Sequence, residues 1–176
     1  MKHILVVVDM QKDFVDGTLG TKEAAAIVPR VARKISIHNG PILVTYDTHF
    51  ETYLHSNEGS HLPVVHCVKG TDGWKLDSRI AAALSTRHYI PVEKVTFGSV
   101  DLPALVEAAA DGDAFTVELV GLCTDICVVS NALLLKAHFP ETEIWVDPGC
   151  CAGVTPESHR NALAAMKTCQ ITVEHE

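Results

Sequence analysis

Short apolar runs alternate with longer amphipathic stretches along the whole chain. The apolar runs are nearly continuous and rich in Val and Ile, which is typical of strands buried on both faces of a parallel sheet. We predict such strands at 3–9, 41–47, 88–94, 115–121, 143–147 and 171–175. The stretches between them predict helices at about 25–38, 77–85, 101–110, 126–138 and 156–168.

The alternation of strands and helices predicts the fold class. We predict one doubly wound, Rossmann-like α/β domain over 1–176, with a six-stranded parallel sheet and helices on both faces. The length of 176 residues is typical of a single domain. The longest stretch without a regular pattern is about 48–76, and a loop of that length in a compact domain is usually functional.

Composition and charge exclude several classes of protein. Hydrophobic residues make up 47% of the chain and charged residues 20%, which are ordinary values for a globular protein. The net charge of −8, without a basic cluster, argues against nucleic acid and anionic membranes as partners. No apolar run approaches the roughly 20 residues of a membrane span. The first apolar run ends at Asp9 without a small-residue cleavage site, so we interpret it as a buried strand of a cytoplasmic protein.

Chemically active side chains are predicted to follow the strands, where ligands bind in sheets of this kind. Asp9 ends the first strand, Asp47 ends the second and is followed by His49, and Lys94 ends the third. The segment GLCTDIC, which includes Cys127, follows the fourth strand. An acid, a base and a thiol therefore converge on one edge of the predicted sheet.

The chain contains six cysteines, which raise the question of a disulfide or metal role. A disulfide framework is not expected, because the cytosol keeps thiols reduced. No pair has the C-x-x-C spacing of zinc knuckles or thioredoxin-like motifs. We interpret the adjacent Cys150 and Cys151 as small hydrophobic packing residues. A redox role for Cys123 and Cys127, which are four positions apart, stays open at this point.

Cys127 is predicted to lie in the first turn of a helix that Thr124 or Asp125 caps. The positive end of the helix dipole would lower the pKa of a thiol at that point, and the free N–H groups could bind an oxyanion. The alternative is that Cys127 is a buried cysteine that only packs in the core. The convergence with Asp9 and Lys94 favours a nucleophile instead.

Three segments of the chain resemble the signature segments of the isochorismatase-like cysteine hydrolase superfamily, in order and spacing. They are VVVDMQKDF at 6–14, VEKVTFGSVDL at 92–102 and VGLCTDICVVSNALLLKA at 120–137. The resemblance implies the isochorismatase-like hydrolase fold and a catalytic triad of Asp9, Lys94 and Cys127. It also implies a cis peptide bond between Leu122 and Cys123, which would aim the backbone N–H groups of Cys123 and Cys127 at an oxyanion.

The irregular loop narrows the resemblance to nicotinamidases, through D-x-H at Asp47 and His49 and the segment HCVKGTDG that begins at His66. One carboxylate and two imidazoles with open positions suit one divalent transition metal, Zn in the first place and Mn or Fe as alternatives. Glu58 matches a loop position that adds a ligand in some nicotinamidases. The remaining loop histidines are interpreted as solvated residues that could ligate only if Glu58 does not: His55 and His61.

The resemblance implies that nicotinamide is hydrolysed to nicotinate and ammonia through a thioester, in NAD salvage, by a homo-oligomer of two or four copies. Phe14 matches the phenylalanine of the pocket wall. Many nicotinamidases have a ring-stacking aromatic residue before the metal-binding histidine, but here Leu62 to Val65 precede His66, which leaves Trp74 to supply that ring. Two alternatives stay open: a hydrolase of another small amide or carbamoyl compound, and a catalytically silent binding module.

Overall fold

The structure is a computed structural model that describes residues 1–174. Its strands are β1 (Lys2–Val8), β2 (Ile42–Asp47), β3 (Ile90–Lys94), β4 (Phe115–Leu122), β5 (Ile144–Ala152) and β6 (Thr172–Val173). Its α-helices are α1 (Lys12–Val15), α2 (Lys22–Ile37), α3 (Asn57–His61), α4 (Ser78–Leu84), α5 (Leu102–Ala110), α6 (Val129–His138) and α7 (Pro156–Thr168). A 3₁₀ turn (Tyr53–His55) precedes α3, and a π-helical turn (Thr124–Val128) precedes α6.

The six strands form one parallel sheet in the order β3-β2-β1-β4-β5-β6. The predicted doubly wound α/β sheet is therefore confirmed. The direction of winding reverses between β1 and β4, and ligands of such sheets bind beyond the carboxyl ends of the strands at that point. The sheet order thus indicates where a functional site should lie, before any side chain is considered.

Helices cover both faces of the sheet, as predicted. Alternate residues of β1 point to opposite faces, and Ile4 to Val8 are all fully buried. Val6 belongs to the core that the sheet forms with α5, α6 and α7, whereas Val7 belongs to the core that it forms with α2 and α4. Burial on both faces is the physical reason for the continuous apolar run.

Several predicted boundaries differ from the structure. The loop 48–76 contains a 3₁₀ turn and α3, which are too short to show a periodic pattern; Ser56 caps α3 by accepting a hydrogen bond from the Gly59 N–H. The short α1 was not predicted for the same reason. β5 continues to Ala152 instead of ending at 147. The last strand pairs only at Thr172–Val173, and position 175 of its predicted range lies outside the described residues. No helix within residues 1–174 is long and apolar enough to cross a membrane.

Candidate active site

The candidate site lies where β1 and β4 end side by side, at the reversal of the sheet. Val8 pairs with Gly121, and a Cβ at Gly121 would lie 2.1 Å from the Val8 carbonyl oxygen. Gly121 also has a φ of +120°, a conformation that side chains disfavour, so only glycine allows this approach. It brings the residue after β1, Asp9, next to the turn that carries Cys127.

Lys94 connects the groups that the sequence placed on this edge. Its Nζ atom lies 2.6 Å from Asp9 Oδ2 and 3.5 Å from Cys127 Sγ. It also lies 3.2 Å from Asp47 Oδ1 and donates a hydrogen bond of 3.1 Å to the Thr96 carbonyl oxygen. Asp9 is 0%, Lys94 3% and Cys127 5% exposed, so bulk water does not screen these contacts. The predicted convergence of an acid, a base and a thiol is present.

Asp9 is held in one orientation by the neighbouring strand. The Thr45 hydroxyl donates a hydrogen bond of 2.6 Å to Asp9 Oδ1, and the Asp9 backbone N–H lies 3.2 Å from the same hydroxyl oxygen. Asp9 has a φ of +47°, in the left-handed region that non-glycine residues rarely occupy. Such conformations concentrate at functional sites, where the surrounding structure fixes them. The carboxylate therefore has Thr45 on one oxygen and Lys94 on the other.

The electrostatics of the site do not agree with the lowered pKa that the sequence predicted for the Cys127 thiol. Burial raises the pKa of the Cys127 thiol and the Asp9 charge adds to this effect, while Lys94 opposes both. The prediction of a lowered thiol pKa was therefore wrong, because burial and the charge of Asp9 outweigh the charge of Lys94. Burial also raises the pKa of Asp9, against the opposing charge of Lys94. Burial alone would lower the pKa of Lys94, but the charges of Asp9, Cys127 and Asp47 raise it, so Lys94 stays an ammonium.

The turn around Cys127 has the cis peptide bond, Leu122–Cys123, that the resemblance implied. The turn itself is π-helical, and its backbone folds around the Cys123 carbonyl oxygen, which accepts hydrogen bonds from the N–H groups of Ile126 and Val128. Single π turns are frequent at functional sites. Cys127 therefore precedes α6 instead of lying within its first turn.

Thr124 and Asp125 do not cap the helix, which corrects another prediction. The Thr124 hydroxyl lies 2.8 Å from His159 Nδ1 of α7. The Asp125 carboxylate accepts a hydrogen bond of 3.1 Å from the Val154 N–H. Thr124 therefore connects the turn that carries Cys127 to α7, and Asp125 connects it to the segment that joins β5 and α7.

Four side chains from β2 and the long loop form a potential metal cluster: Asp47, His49, Glu58 and His66. Their ligand atoms all lie within 4.8 Å of one another. His49 Nε2 is 3.0 Å from Asp47 Oδ2 and 3.4 Å from Glu58 Oε1. His66 Nε2 is 3.6 Å from Asp47 Oδ2 and 3.7 Å from Glu58 Oε1. The other loop histidines, His55 and His61, are exposed and lie outside the cluster, so Glu58 is the fourth member.

The cluster fits a divalent metal by its own geometry. His66 Nδ1 lies 2.7 Å from the Val64 carbonyl oxygen, so it donates its proton there and directs the lone pair of Nε2 towards the carboxylates. His49 Nε2 is buried and makes no well-aligned hydrogen bond, although two carboxylates lie close to it. Nitrogen and carboxylate oxygen atoms that converge in this way call for a cation. Two nitrogens and two carboxylates are ligands that zinc accepts.

The pKa shifts of the cluster also favour the binding of a cation. Burial alone would lower the pKa of His49, but Asp47 and Glu58 outweigh it and raise that pKa to about 9. Burial alone would raise the pKa of Asp47, but His49, His66 and Lys94 outweigh it and hold that pKa well below its usual range. The cluster therefore attracts positive charge, as a proton on His49 or as a metal ion.

His49→Ala is expected to weaken zinc binding at least about a hundredfold. Loss of a residue that only supports a ligand costs about ten- to a hundredfold in metal affinity, so loss of a ligand should reach the upper end. Calorimetric titration of zinc into the metal-free variant measures the change. His61→Ala is the matched control, because His61 is exposed on α3 near Glu58 and lies outside the cluster. Equal affinity of the two variants would show that His49 is not a ligand.

A cavity of about 220 Å³ extends from Cys127 to the cluster. Its lining includes Cys123 and Cys127 and three members of the cluster, Asp47, Glu58 and His66. Its apolar walls are formed by Phe14, Leu19, Leu62, Phe97, Ile126 and Val154. The cavity is smaller than the roughly 300–1,000 Å³ of drug-sized pockets, so it suits a small ligand with one ring.

The aromatic wall agrees with the sequence analysis only in part. Phe14 lines the cavity, as the resemblance implied, and its ring lies edge-on to His66 with centroids 5.5 Å apart. Trp74 does not line the cavity, so its assignment was wrong. It packs on Tyr46 instead and donates its indole N–H to the Thr48 hydroxyl. Phe97, in the turn after Lys94, supplies the second aromatic wall and was missed.

Two further residues of the first motif support the metal cluster and were also missed. The buried side-chain amide of Gln11 donates to the Asp47 carbonyl oxygen and accepts from the Asp47 N–H, at 2.9 and 2.7 Å. Asp13 Oδ2 accepts a hydrogen bond of 2.8 Å from the N–H of Cys67, which follows His66. The only signal in the sequence was the position of both residues in the DMQKDF segment.

Comparisons with known proteins place this geometry in a family. The family model of the isochorismatase domain matches residues 3–175 of this chain. The structure of a pyrazinamidase from Pyrococcus horikoshii in complex with zinc is 26% identical, with a TM-score of 0.81 over 100% of both chains. A pyrazinamidase/nicotinamidase from Streptococcus mutans is 26% identical, with a TM-score of 0.83 over 98% of this chain and 99% of the other. An N-carbamoylsarcosine amidase from Thermoplasma acidophilum is 26% identical, with a TM-score of 0.77 over 99% and 96%. The chain belongs to the isochorismatase family of hydrolases.

Proposed function

We propose that this protein is a metal-dependent cysteine amidohydrolase that converts nicotinamide to nicotinate and ammonia. One observation carries the proposal: Cys127, in contact with Lys94, shares a single small cavity with a cluster of four metal-ligating side chains. Similarity to a pyrazinamidase/nicotinamidase and to a zinc-bound pyrazinamidase supports it. Such an activity would belong to NAD salvage, and association into dimers or tetramers stays a prediction of the resemblance.

Asp9 acts as the general base and then as the general acid. Because the pKa of the Cys127 thiol is raised, the resting group is protonated, and Asp9 accepts its proton as Sγ attacks the carboxamide carbon. Asp9 then protonates the amide nitrogen, the C–N bond breaks, and ammonia leaves a thioester on Cys127. Lys94 keeps its charge throughout and stabilises whichever of the two groups is anionic.

A water molecule completes the reaction by the same path in reverse. Asp9 accepts one proton of the water as its oxygen adds to the thioester carbon. The bond to Sγ then breaks, the thiolate recovers the proton from Asp9, and nicotinic acid is released and ionises to nicotinate. In both tetrahedral states, we assign the oxyanion to the backbone N–H groups of Cys123, which directly precedes the π-helical turn, and of Cys127, which lies within it.

The metal cluster would hold the ring. A divalent metal on Asp47, His49, Glu58 and His66, zinc in the first place, would supply a Lewis-acid position for the lone pair of the pyridine nitrogen. Phe14 and Phe97 supply aromatic walls for a planar ring. With the ring held between them, the carboxamide would lie over Cys127, and positioning of this kind can contribute several orders of magnitude in rate.

The alternatives from the sequence can be ordered by the same residues. A hydrolase of a carbamoyl compound is the second candidate, supported by similarity to an N-carbamoylsarcosine amidase. A carbamoyl compound without a ring nitrogen would leave the four-ligand cluster beside Cys127 without a role in binding the substrate. A silent binding module is disfavoured because Asp9, Lys94 and Cys127 are all present and in contact.

Ammonia release by the zinc-loaded protein separates the two candidate substrates. We expect nicotinamide to be hydrolysed with a kcat/KM at least about a hundredfold above that of N-carbamoylsarcosine, because only the ring offers the metal a lone pair. The protein treated with a chelator serves as the control and should lose this preference. A preference for the carbamoyl compound would replace the proposal with the second candidate.

A further inference from the structure

Asn131 is a fully buried polar side chain that the reaction described above does not use. It lies on α6, one helical turn after Cys127, and is 0% exposed. Its Nδ2 atom donates hydrogen bonds to the carbonyl oxygens of Cys127, at 2.8 Å, and of Phe97, at 3.2 Å. Its Oδ1 atom accepts a hydrogen bond of 3.0 Å from the Ser99 N–H. The amide therefore joins two turns that are far apart in the chain.

The turn after β3, residues 95–101, has few other attachments. β3 is an edge strand, and β2 and β1 lie between it and β4. Strand pairing therefore does not fix this turn relative to the turn that carries Cys127. Val95 is 68% exposed and Val100 is 80% exposed, so their apolar side chains do not anchor it. Gly98 packs closely on α6, where a Cβ would lie 2.6 Å from Leu134 Cδ1. Besides this contact, the turn is tied to α6 by the Asn131 amide.

These contacts connect Lys94 with Cys127 by a second route, through the turn 95–101 and Asn131. Lys94 Nζ donates to the Thr96 carbonyl oxygen and lies 3.5 Å from Cys127 Sγ. The next residue, Phe97, is held by Asn131, which also holds the carbonyl oxygen of Cys127. A shift of either turn would therefore change the position of the ammonium relative to the thiol, and of the Phe97 wall relative to both.

We propose that Asn131 is a positioning residue that fixes the turn around Cys127 against the turn 95–101, which directly follows Lys94 and carries Phe97. It touches neither the substrate nor the reacting atoms, and it acts on the reaction through the distance between Cys127 and Lys94. The kinetic part of the proposal rests on the proposed amidohydrolase activity. A shift of about 1 Å in a reacting group can reduce the rate about a hundredfold, so loss of the link should appear in kcat.

Asn131→Thr separates the link from the local hydrogen bond. A helical Thr can still donate to the carbonyl oxygen four residues earlier, which is that of Cys127, but it cannot reach Phe97 and Ser99. We expect kcat for nicotinamide to fall at least about tenfold in Asn131→Thr and in Asn131→Ala, with KM within about threefold of the wild-type value. Asn161→Ala, which changes an exposed asparagine of α7, is the matched control and should leave both constants unchanged.

Alkylation of Cys127 by iodoacetamide tests the same link without any substrate. The rate, followed at the Cys127 peptide by mass spectrometry, should fall at least about threefold in both Asn131 variants, because the thiol loses its alignment with Asp9 and Lys94. If Asn131→Ala does not fold, Asn131→Thr decides the outcome. A kcat or an alkylation rate within threefold of wild type in Asn131→Thr, or a loss carried by KM, would overturn the proposal. If the wild-type protein does not hydrolyse nicotinamide, the proposed function fails, and the alkylation rate alone decides the role of Asn131.

Discussion

Cys127→Ala is expected to abolish the hydrolysis of nicotinamide, with a loss in kcat of at least about 10⁴-fold. Removal of a nucleophile leaves only binding and oxyanion stabilisation, and losses of this size or larger follow when the nucleophile of a hydrolase is replaced. The variant should still fold, because the change removes one buried sulfur and leaves the cavity walls in place. Its zinc content should also be unchanged, since Cys127 is not a member of the four-ligand cluster.

Two other cysteine variants make this result specific. Cys169→Ala changes the exposed cysteine and should keep full activity. Cys123→Ala should keep activity within about tenfold of the wild-type value, because only the backbone of Cys123 has a role in the proposed reaction. A small loss is expected because Cys123 lines the cavity wall. Thioester trapping with wild-type protein, followed by mass spectrometry, would locate the acyl group. Equal losses in Cys123→Ala and Cys127→Ala would show that the division of roles between the two cysteines is wrong.

Lys94→Met is expected to lower kcat/KM at neutral pH at least about a hundredfold, the lower range for loss of a general acid–base partner. Burial raises the pKa of Asp9 and Lys94 opposes this rise, so removal of the ammonium raises the pKa of Asp9 further. Asp9 would then lose the charge that favours its ionised form, and a larger fraction of it would be unable to accept the thiol proton. Activity should therefore recover in part as the pH increases and Asp9 ionises.

The pH dependence of kcat/KM in Lys94→Met tests this explanation, with Lys22→Met as the control for loss of a charge. Lys22 is almost fully exposed, with a side chain 91% accessible, and does not line the cavity. The acidic limb of the profile should move to higher pH in Lys94→Met and stay in place in Lys22→Met. Full activity of Lys94→Met at neutral pH would mean that Lys94 has no part in the chemistry.

The positions of the proposed catalytic residues could be predicted because they follow from chain topology. In a parallel sheet, all strands end at the same edge, so Asp9 after β1, Lys94 at the end of β3 and Cys127 after β4 had to approach one another. The strands were readable because burial on both faces makes each a continuous apolar run. The proposed metal ligands Asp47 and His49 were placed by the same rule, at and just after the end of β2.

What could not be predicted depends on contacts between distant segments and on burial. The pKa of Cys127 was assigned from its place in the chain, but it is set by desolvation, which only the folded structure reveals. Phe97, in the turn 95–101, lines the cavity in place of Trp74. Asn131 holds that turn across 34 residues of sequence, and one buried amide gives no periodic or motif signal.

The comparison of nicotinamide with benzamide, as substrates of the zinc-loaded wild-type protein, tests the central claim most directly. The two amides have the same shape, but benzamide has no ring nitrogen for a metal on Asp47, His49, Glu58 and His66. A site built for a polar atom rejects the analogue that lacks it by about 10⁴ or more, and water as a substitute ligand reduces that penalty. We predict a ratio of kcat/KM for nicotinamide to benzamide of at least about 10². Comparable rates for the two amides would contradict the proposed role of the metal cluster and leave an amidase that does not recognise the ring nitrogen.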